Sequence, residues 1–398
     1  MNKKEVFAWG MYDLANTAFS ALFVTFFYPL YIKSFLGGNE FHIGLVFGLS
    51  MFLVGIIVPV IGALSDRIGR RMPFIVLFTF LCCVFTFLII YVNLFAALLF
   101  GLLANFFYHA ALTTYNALLP KLCESKDMGK VSGFGTGLGY VGTLLSLFMA
   151  IIILNNLGWE SIQGVKAIFP ATALFFFIFS IATFIGIREK RQRKNSLWKD
   201  LLHSISEVKS TLAGVRKNKS LLYFILSMFL YADAINAVIV FLYLYGSSEI
   251  NLSMQSFMIV YIIFSIAAAI GSLAFGIVVD KIGAKKSLSI AGILWVLIIL
   301  LLVNVKSYFT FLIGGITGGV ALGIVWTAMR PLLVELSPRK KMGQFFGFLE
   351  LTGKFSGVLG PIVFGYMVVS FGYKAALVSL LFFFASGFAV LQKVREKR

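Results

Sequence analysis

Charge is scarce in this chain. Only 13% of its 398 residues are Asp, Glu, Lys or Arg, about half the share of an ordinary soluble domain. With 60% hydrophobic residues and a mean hydropathy of +0.95, a water-soluble fold would lack the polar surface to cover itself, so lipid must supply part of its solvent. Acidic residues are scarcer than basic ones, 16 against 34, for a net charge of +18. In a soluble protein that excess would point to nucleic acid. Here the basic residues fall in short segments between apolar runs, which is the pattern of membrane topology, and no nucleic-acid partner is expected. The three cysteines, Cys82, Cys83 and Cys123, form neither a disulfide framework nor a metal-ligand spacing. No Walker loop, nucleophile triad or metal cluster is visible. The chain therefore reads as no enzyme, with no cofactor and no means of its own for ATP-driven transport.

What is abundant is apolar sequence in long runs, with Phe alone contributing 44 residues. A run of ~20 residues crosses a ~30 Å hydrocarbon core as a helix. Twelve such runs are legible, at 6–32, 41–64, 73–92, 94–119, 131–154, 167–187, 220–245, 254–279, 287–304, 307–334, 343–369 and 372–392, here called spans 1 to 12. Spans 3 and 4 are separated only by Asn93. The N-terminus has the charged start of a signal peptide but no small-x-small cleavage site, so span 1 is read as uncleaved.

An even number of spans puts both termini on one side, and the basic residues decide which. Of the 34 Lys and Arg, Lys33, Lys166, Lys306 and Lys374 fall in one set of loops and Arg330 and Lys354 inside spans. The remaining 28 fall in the other set, with the termini. That bias places both termini in the cytoplasm, and a prokaryotic cytoplasmic membrane is expected. The longest polar interruption, 188–219, divides the chain into residues 1–187 and 220–398, six spans each. Leu197, Leu201, Ile205, Val208 and Leu212 recur within it at helical spacing beside Trp198. It reads either as an amphipathic helix on the inner membrane surface or as a flexible basic linker.

The halves are repeats. GALSDRIGRR from Gly62 recurs as GIVVDKIGAKK from Gly276, so that Gly62, Asp66 and Gly69 map onto Gly276, Asp280 and Gly283, 214 residues later. The same offset carries LLPKL (Leu118–Leu122) onto LLVEL (Leu332–Leu336), and MGKVSGFG from Met128 onto MGQFFGFL from Met342. Parallel six-helix repeats about an axis along the membrane normal are a transporter architecture, with solute bound between the halves near the midplane. The expected fold is thus an all-α bundle of twelve transmembrane helices in two six-helix pseudo-repeats.

The Gly-x-x-x-Asp-Arg-x-Gly-Arg-Arg run between spans 2 and 3 resembles the loop signature of the major facilitator superfamily, and its weaker copy lies between spans 8 and 9. YDLANTAF at Tyr12–Phe19 is similar to the Tyr-Asp-Trp-Ala-Asn start of the vacuolar amino-acid effluxer-like branch, with Leu14 in place of Trp. FFGFLELTGKFSGVLGPIVFG from Phe345 looks like that branch's eleventh span, while Met329-Arg330-Pro331 departs from the Ser-Arg-Ser expected in span 10. The resemblance implies amino acids or similar small metabolites as solutes. It also implies a gate in which Asp66 caps or pairs with a helix end while Arg67, Arg70 and Arg71 hold the inner face through charge-assisted bonds, with Asp280 as the second-half counterpart. The plainer reading of those loops is a tight turn carrying topogenic charge.

Ionisable residues inside a membrane cost ~2.5–3.5 kcal/mol or more and persist where they face water or a partner. Asp13 and Asn16 share a helix face in span 1, and Asp233 and Asn236 repeat that spacing in span 7. A carboxylate with an amide oxygen is suited to bind a cation or carry a proton. For Asp13 the alternative is a helix cap at the inner surface. Glu350 and Lys354 stand four apart in span 11, either as a self-satisfied pair or as a set with Arg330 that an anionic solute group would complete. Arg330 lies near the end of span 10 and alternatively binds the inner surface. His109 is read as a buried hydrogen-bonded side chain, or else as a proton relay or solute contact. Gly137–Gly142 spells G-x-G-x-x-G but lies inside a span with no βαβ unit around it, so its glycines, like those from Gly314 to Gly323, are expected to permit close helix packing. Gly360-Pro361 is expected to bend span 11.

The function expected is alternating-access transport of a small polar solute by a monomer in lipid, energised by H+, by Na+ or by the solute's own gradient. A proton-driven drug exporter using Asp13, Asp233 or Glu350 is a second reading, with the basic Arg330 and Lys354 against it. A non-transporting sensor or lipid-flipping protein is a third.

Overall fold

The computed structural model describes residues 3–68, 70–122, 128–187, 189, 218–336 and 342–395. Among them there are helices and turns and no strand, as twelve apolar runs in lipid require when every backbone N–H must find its partner within its own segment. The observed helices are Lys3–Ser34 for span 1, then Glu40–Ile68, Met72–Leu88 extended by a 3-10 turn to Tyr91, Leu94–Asn116, Met128–Leu157 and Ile162–Gly186. Lys219–Ile250, Met254–Ile282, Ala284–Val303 and Tyr308–Leu336 follow as spans 7 to 10. Spans 11 and 12 run together as Met342–Gln392, divided where Gly372 takes φ 83°, ψ 172°. The described helix continues through Pro361, and its residue with non-helical φ/ψ is Gly372. Residues 190–217, where the amphipathic helix or basic linker is expected, lie outside the described residues.

Short polar residues set the helix starts. Asn93 accepts from Ala96 N–H at 3.1 Å, so the single polar residue between spans 3 and 4 is an N-cap. Ser161, Asn218 and Ser253 begin spans 6, 7 and 8 in the same way. Outward faces are apolar, with Phe95 79%, Ile185 75% and Phe382 70% exposed, the reverse of a soluble surface and suited to lipid.

The chain divides into two compact units, Met1–Asn39 with Leu49–Ser204, and Glu40–Gly48 with Ile205–Arg398. In the first, span 1 packs on spans 5 and 6, and span 3 on spans 4 and 6. In the second, span 7 packs on the continuous helix of spans 11 and 12, and span 9 on span 10 and that same helix. The parallel follows from the sequence repeat. Glycines make the closest approaches. Gly139 and Gly142 of the GLGYVG run abut Thr17 and the Leu14 carbonyl of span 1, while Gly137 points into open space. Gly319 and Gly323 bring span 10 against the backbone of Phe264 and Ala268 in span 8.

Span 1 holds one feature that hydropathy does not reveal. Ser20–Phe27 is a π-helix. Tyr28 N–H bonds Phe23 O, and Thr25 Oγ1 donates to Ser20 O at 3.2 Å, both five residues back. The wide turn gives way to α-helix at Tyr28–Ser34, whose second residue, Pro29, has no N–H to continue the ladder.

Candidate functional site

In the first unit Asp13 sits in the third turn of the helix Lys3–Phe19, well past its start, so it is no N-terminal cap. Asn16 Nδ2 donates to Asp13 Oδ1 at 3.1 Å and to Tyr12 O at 2.9 Å. The pair predicted from its spacing is therefore a bonded pair. An added Cβ on Gly135 of span 5 would strike Asp13 Oδ2 and, at 2.6 Å, the Trp9 ring, so this glycine makes the room the carboxylate occupies. Trp9 and Tyr12 stack on Tyr115 at 4.8 and 4.6 Å between centroids. The Tyr115 hydroxyl donates to Trp9 O at 2.9 Å beside the carboxylate. Asp13 itself is half-buried. The arrangement holds an acid and an amide on a rigid aromatic support, at a residue that keeps part of its surface exposed.

Asp233, its repeat counterpart in span 7, has a different setting. It is fully buried, and Oδ1 accepts from Gly360 N–H of span 11 at 2.7 Å with Leu359 N–H alongside. Oδ2 has no partner. A Cβ on Gly360 would overlap the Asp233 carbonyl. Asn236 is half-buried and does not bond this acid. The sequence spacing is the same in both halves, but the partner is an amide side chain in one and helix backbone in the other.

His109 of span 4 is half-buried, with its ring set edge-on to Tyr108 at 4.7 Å. Tyr108 in turn lies 4.7 Å from Phe19. Arg330 is exposed in span 10, immediately before Pro331. The side chains of Glu350 and Lys354 lie outside the described residues, as do those of Asp66, Arg67 and Asp280. Of the expected gate, Arg70 is exposed, and the Arg71 guanidinium donates to Ala117 O at the end of span 4.

Three functional-looking contacts have no motif in the sequence. Glu189, just past span 6, accepts through Oε2 from the Arg71 and Met72 N–H groups at 2.6 and 2.8 Å, and so caps span 3. Its signal is an acid between Arg188 and Lys190, at the start of a mostly basic stretch. In the second unit the residue 214 positions after Arg71 is Lys285, whose Nζ donates to Gln392 O at 3.1 Å and Val394 O at 2.7 Å at the end of span 12. The same helix junction is thus tied by a carboxylate in one half and an ammonium in the other. Glu40, which precedes the apolar run 41–64, is the first residue of the span 2 helix. It is buried, and Tyr373 OH donates to its Oε1 at 2.5 Å.

Comparison with known proteins follows the same lines. The family described as vacuole effluxer Atg22 like matches residues 41–398. The chain is similar to an uncharacterized MFS-type transporter, YxiO, of Bacillus subtilis, with 24% identity over 99% of this chain and 95% of that one. It is similar to the multidrug resistance protein MdtG of Salmonella arizonae, with 25% identity over 91% and 88%. The crystal structure of the nucleoside transporter NupG superposes with a TM-score of 0.78 at 16% identity, covering 99% of this chain and all of that one. At that identity the likeness carries the fold, twelve spans in two repeats, and not the solute.

Proposed function

The chain belongs to the vacuole effluxer Atg22-like family of major facilitator superfamily transporters, and from that premise we propose that it moves a small polar solute, an amino acid or similar metabolite, by alternating access. The observation that carries this reading is Asp13. A half-buried carboxylate on a largely buried span is costly unless a partner, water or a solute meets it, and the neutral amide of Asn16 leaves its charge for a solute to balance. Its bonded amide, Asn16, and the Trp9–Tyr115 stack fix its position, as a binding group requires. An ammonium group is the solute chemistry that suits it. His109 would line the path in the first half, and Asp233 with Asn236 the second, with H+ or Na+ as coupling ion. Arg330, Glu350 and Lys354 would serve an anionic solute group, while Asp66, Arg67, Arg70, Arg71 and Asp280 would act at the inner gate. The basic loops support a cytoplasmic-membrane location with both termini inside.

The test is uptake of labelled amino acids, nucleosides and organic acids by proteoliposomes under imposed pH or sodium gradients. Uptake of an ammonium-bearing solute above empty vesicles, reduced at least tenfold by Asp13→Asn, is expected. No movement of any panel member overturns the reading. The likeness to MdtG favours a second reading, export of apolar cations, which the same vesicles test with a cationic dye.

A further inference from the structure

Asp233 has an oxygen that the fold leaves unexplained. The residue has none of its surface exposed, its Oδ1 faces the Gly360 and Leu359 N–H groups of span 11, and among the described residues its Oδ2 has no hydrogen-bond partner. Spans 8, 10, 11 and 12 all pack with or adjoin span 7. Among the described residues no Lys, Arg, His or second carboxylate from any of them pairs with it. Asn236 does not bond it, and the Tyr231 hydroxyl is turned toward Gly292. Lys354, whose side chain is outside the described residues, lies six residues before Gly360, ~9 Å along the helix axis. An ionised carboxylate here would leave a full charge in a dry seam, whereas a carboxylic acid leaves one O–H unbonded, a far smaller cost.

We propose that Asp233 is a proton-binding site, with the proton on Oδ2 while spans 7 and 11 are packed and released to water when they part. The step is a simple exchange: a proton from water closes the carboxylate to the acid, and its return to water restores the charge. Gly360 ties that exchange to conformation, because there is no room for even a Cβ between it and the Asp233 carbonyl and hydration of the carboxylate needs this seam to open. A metal cation is disfavoured at the same place. Hard cations take about six oxygen ligands, and here one orphan oxygen stands with N–H donors on its neighbour. The repeat-related acids thereby divide the work: Asp13, half-open and amide-bonded, meets solute, and Asp233 carries the proton. This rests on the transporter reading and names the coupling ion within it.

The experiment is infrared difference spectroscopy on the full-length protein in liposomes, titrated from neutral to alkaline pH, with and without isotope-labelled aspartate. Of the six aspartates only Asp13 and Asp233 lie within the apolar runs. An aspartic-acid C=O band is expected at neutral pH, shifted by the label, retained in Asp13→Asn and lost in Asp233→Asn. Should Asp233→Asn fail to fold, the labelled Asp13→Asn protein alone decides. No labelled acid band at neutral pH, a band that survives Asp233→Asn, or sodium-22 binding that Asp233→Asn removes would each overturn the proposal. Solute uptake without the band would sink the proton site and leave transport standing; the band without uptake would do the reverse.

Discussion

Tyr373 donates its hydroxyl to the carboxylate of Glu40, 333 residues earlier in the chain, at 2.5 Å. The bond ties the first turn of span 2 to the turn between spans 11 and 12. Around it Gly365 abuts the Glu40 backbone and Gly44 the Pro361 carbonyl, with no room for a Cβ at either. The N-terminal end of span 2 belongs to the second compact unit, where backbone-to-backbone packing and this buried bond hold it.

Removing the donor takes a charge-assisted bond from a buried carboxylate, a loss of about 1.5–3 kcal/mol. Tyr373→Phe is expected to lower the thermal midpoint of the protein in detergent, and Glu40→Gln, whose amide oxygen still accepts, to lower it less. Equal midpoints for wild type and Tyr373→Phe would show that the bond holds nothing.

The glycines give a prediction with opposite signs. Gly→Ala inside a helix ordinarily stabilises by about 1 kcal/mol. Gly137→Ala, with nothing near its new methyl, should be neutral or stabilising. Gly142→Ala and Gly360→Ala, whose methyls would strike the Leu14 and Asp233 carbonyls, should destabilise by about 1–3 kcal/mol through overpacking. Heat-resistance of the three variants in detergent separates the groups, and a common response would refute the packing assignment.

The architecture was legible because its causes are local. A run of ~20 apolar residues is a span whatever surrounds it, and Asn93 caps a helix using only its own neighbours. The 214-residue offset joins the two halves without any coordinates. The packing role of Gly139 and Gly142 could also be read, since small residues in a span have few other uses. What stayed hidden depends on which span lies alongside. Asp13 and Asp233 have one spacing to Asn in the sequence, and only the position of Gly135 or Gly360 on the neighbouring helix separates a half-open carboxylate from a sealed one. Glu40 and Glu189 look like loop acids until Tyr373 and the start of span 3 arrive beside them. The π-turn at Ser20–Phe27 leaves no mark on hydropathy at all.

Cys82 and Cys83 are both buried in span 3, where no water supports a thiolate, the reactive form. Neither is expected to react with a maleimide in the folded protein, and both should react after denaturation in detergent, as read by mass spectrometry of the span 3 peptide. Rapid labelling of either residue before denaturation would place this face of span 3 in water.

The junction at Glu189 and its counterpart at Lys285 give the last test. Glu189 accepts two N–H groups at the positive end of the span 3 helix, combining a charge-assisted pair with a favourable dipole. Glu189→Ala should destabilise by about 2 kcal/mol, and Glu189→Gln by roughly half of that, since a neutral oxygen still accepts. Lys285→Met frees the Gln392 and Val394 carbonyls at the end of span 12, where water can replace the ammonium, so its cost should be smaller, about 0.5–1.5 kcal/mol. Because such proteins commonly unfold irreversibly, the fraction still monodisperse after heating is the measurement to use. The order expected is Glu189→Ala below Glu189→Gln, with Lys285→Met nearest the wild type. If Lys285→Met is the most fragile, the ammonium rather than the carboxylate carries the stronger of the two ties, and the capping argument for Glu189 fails.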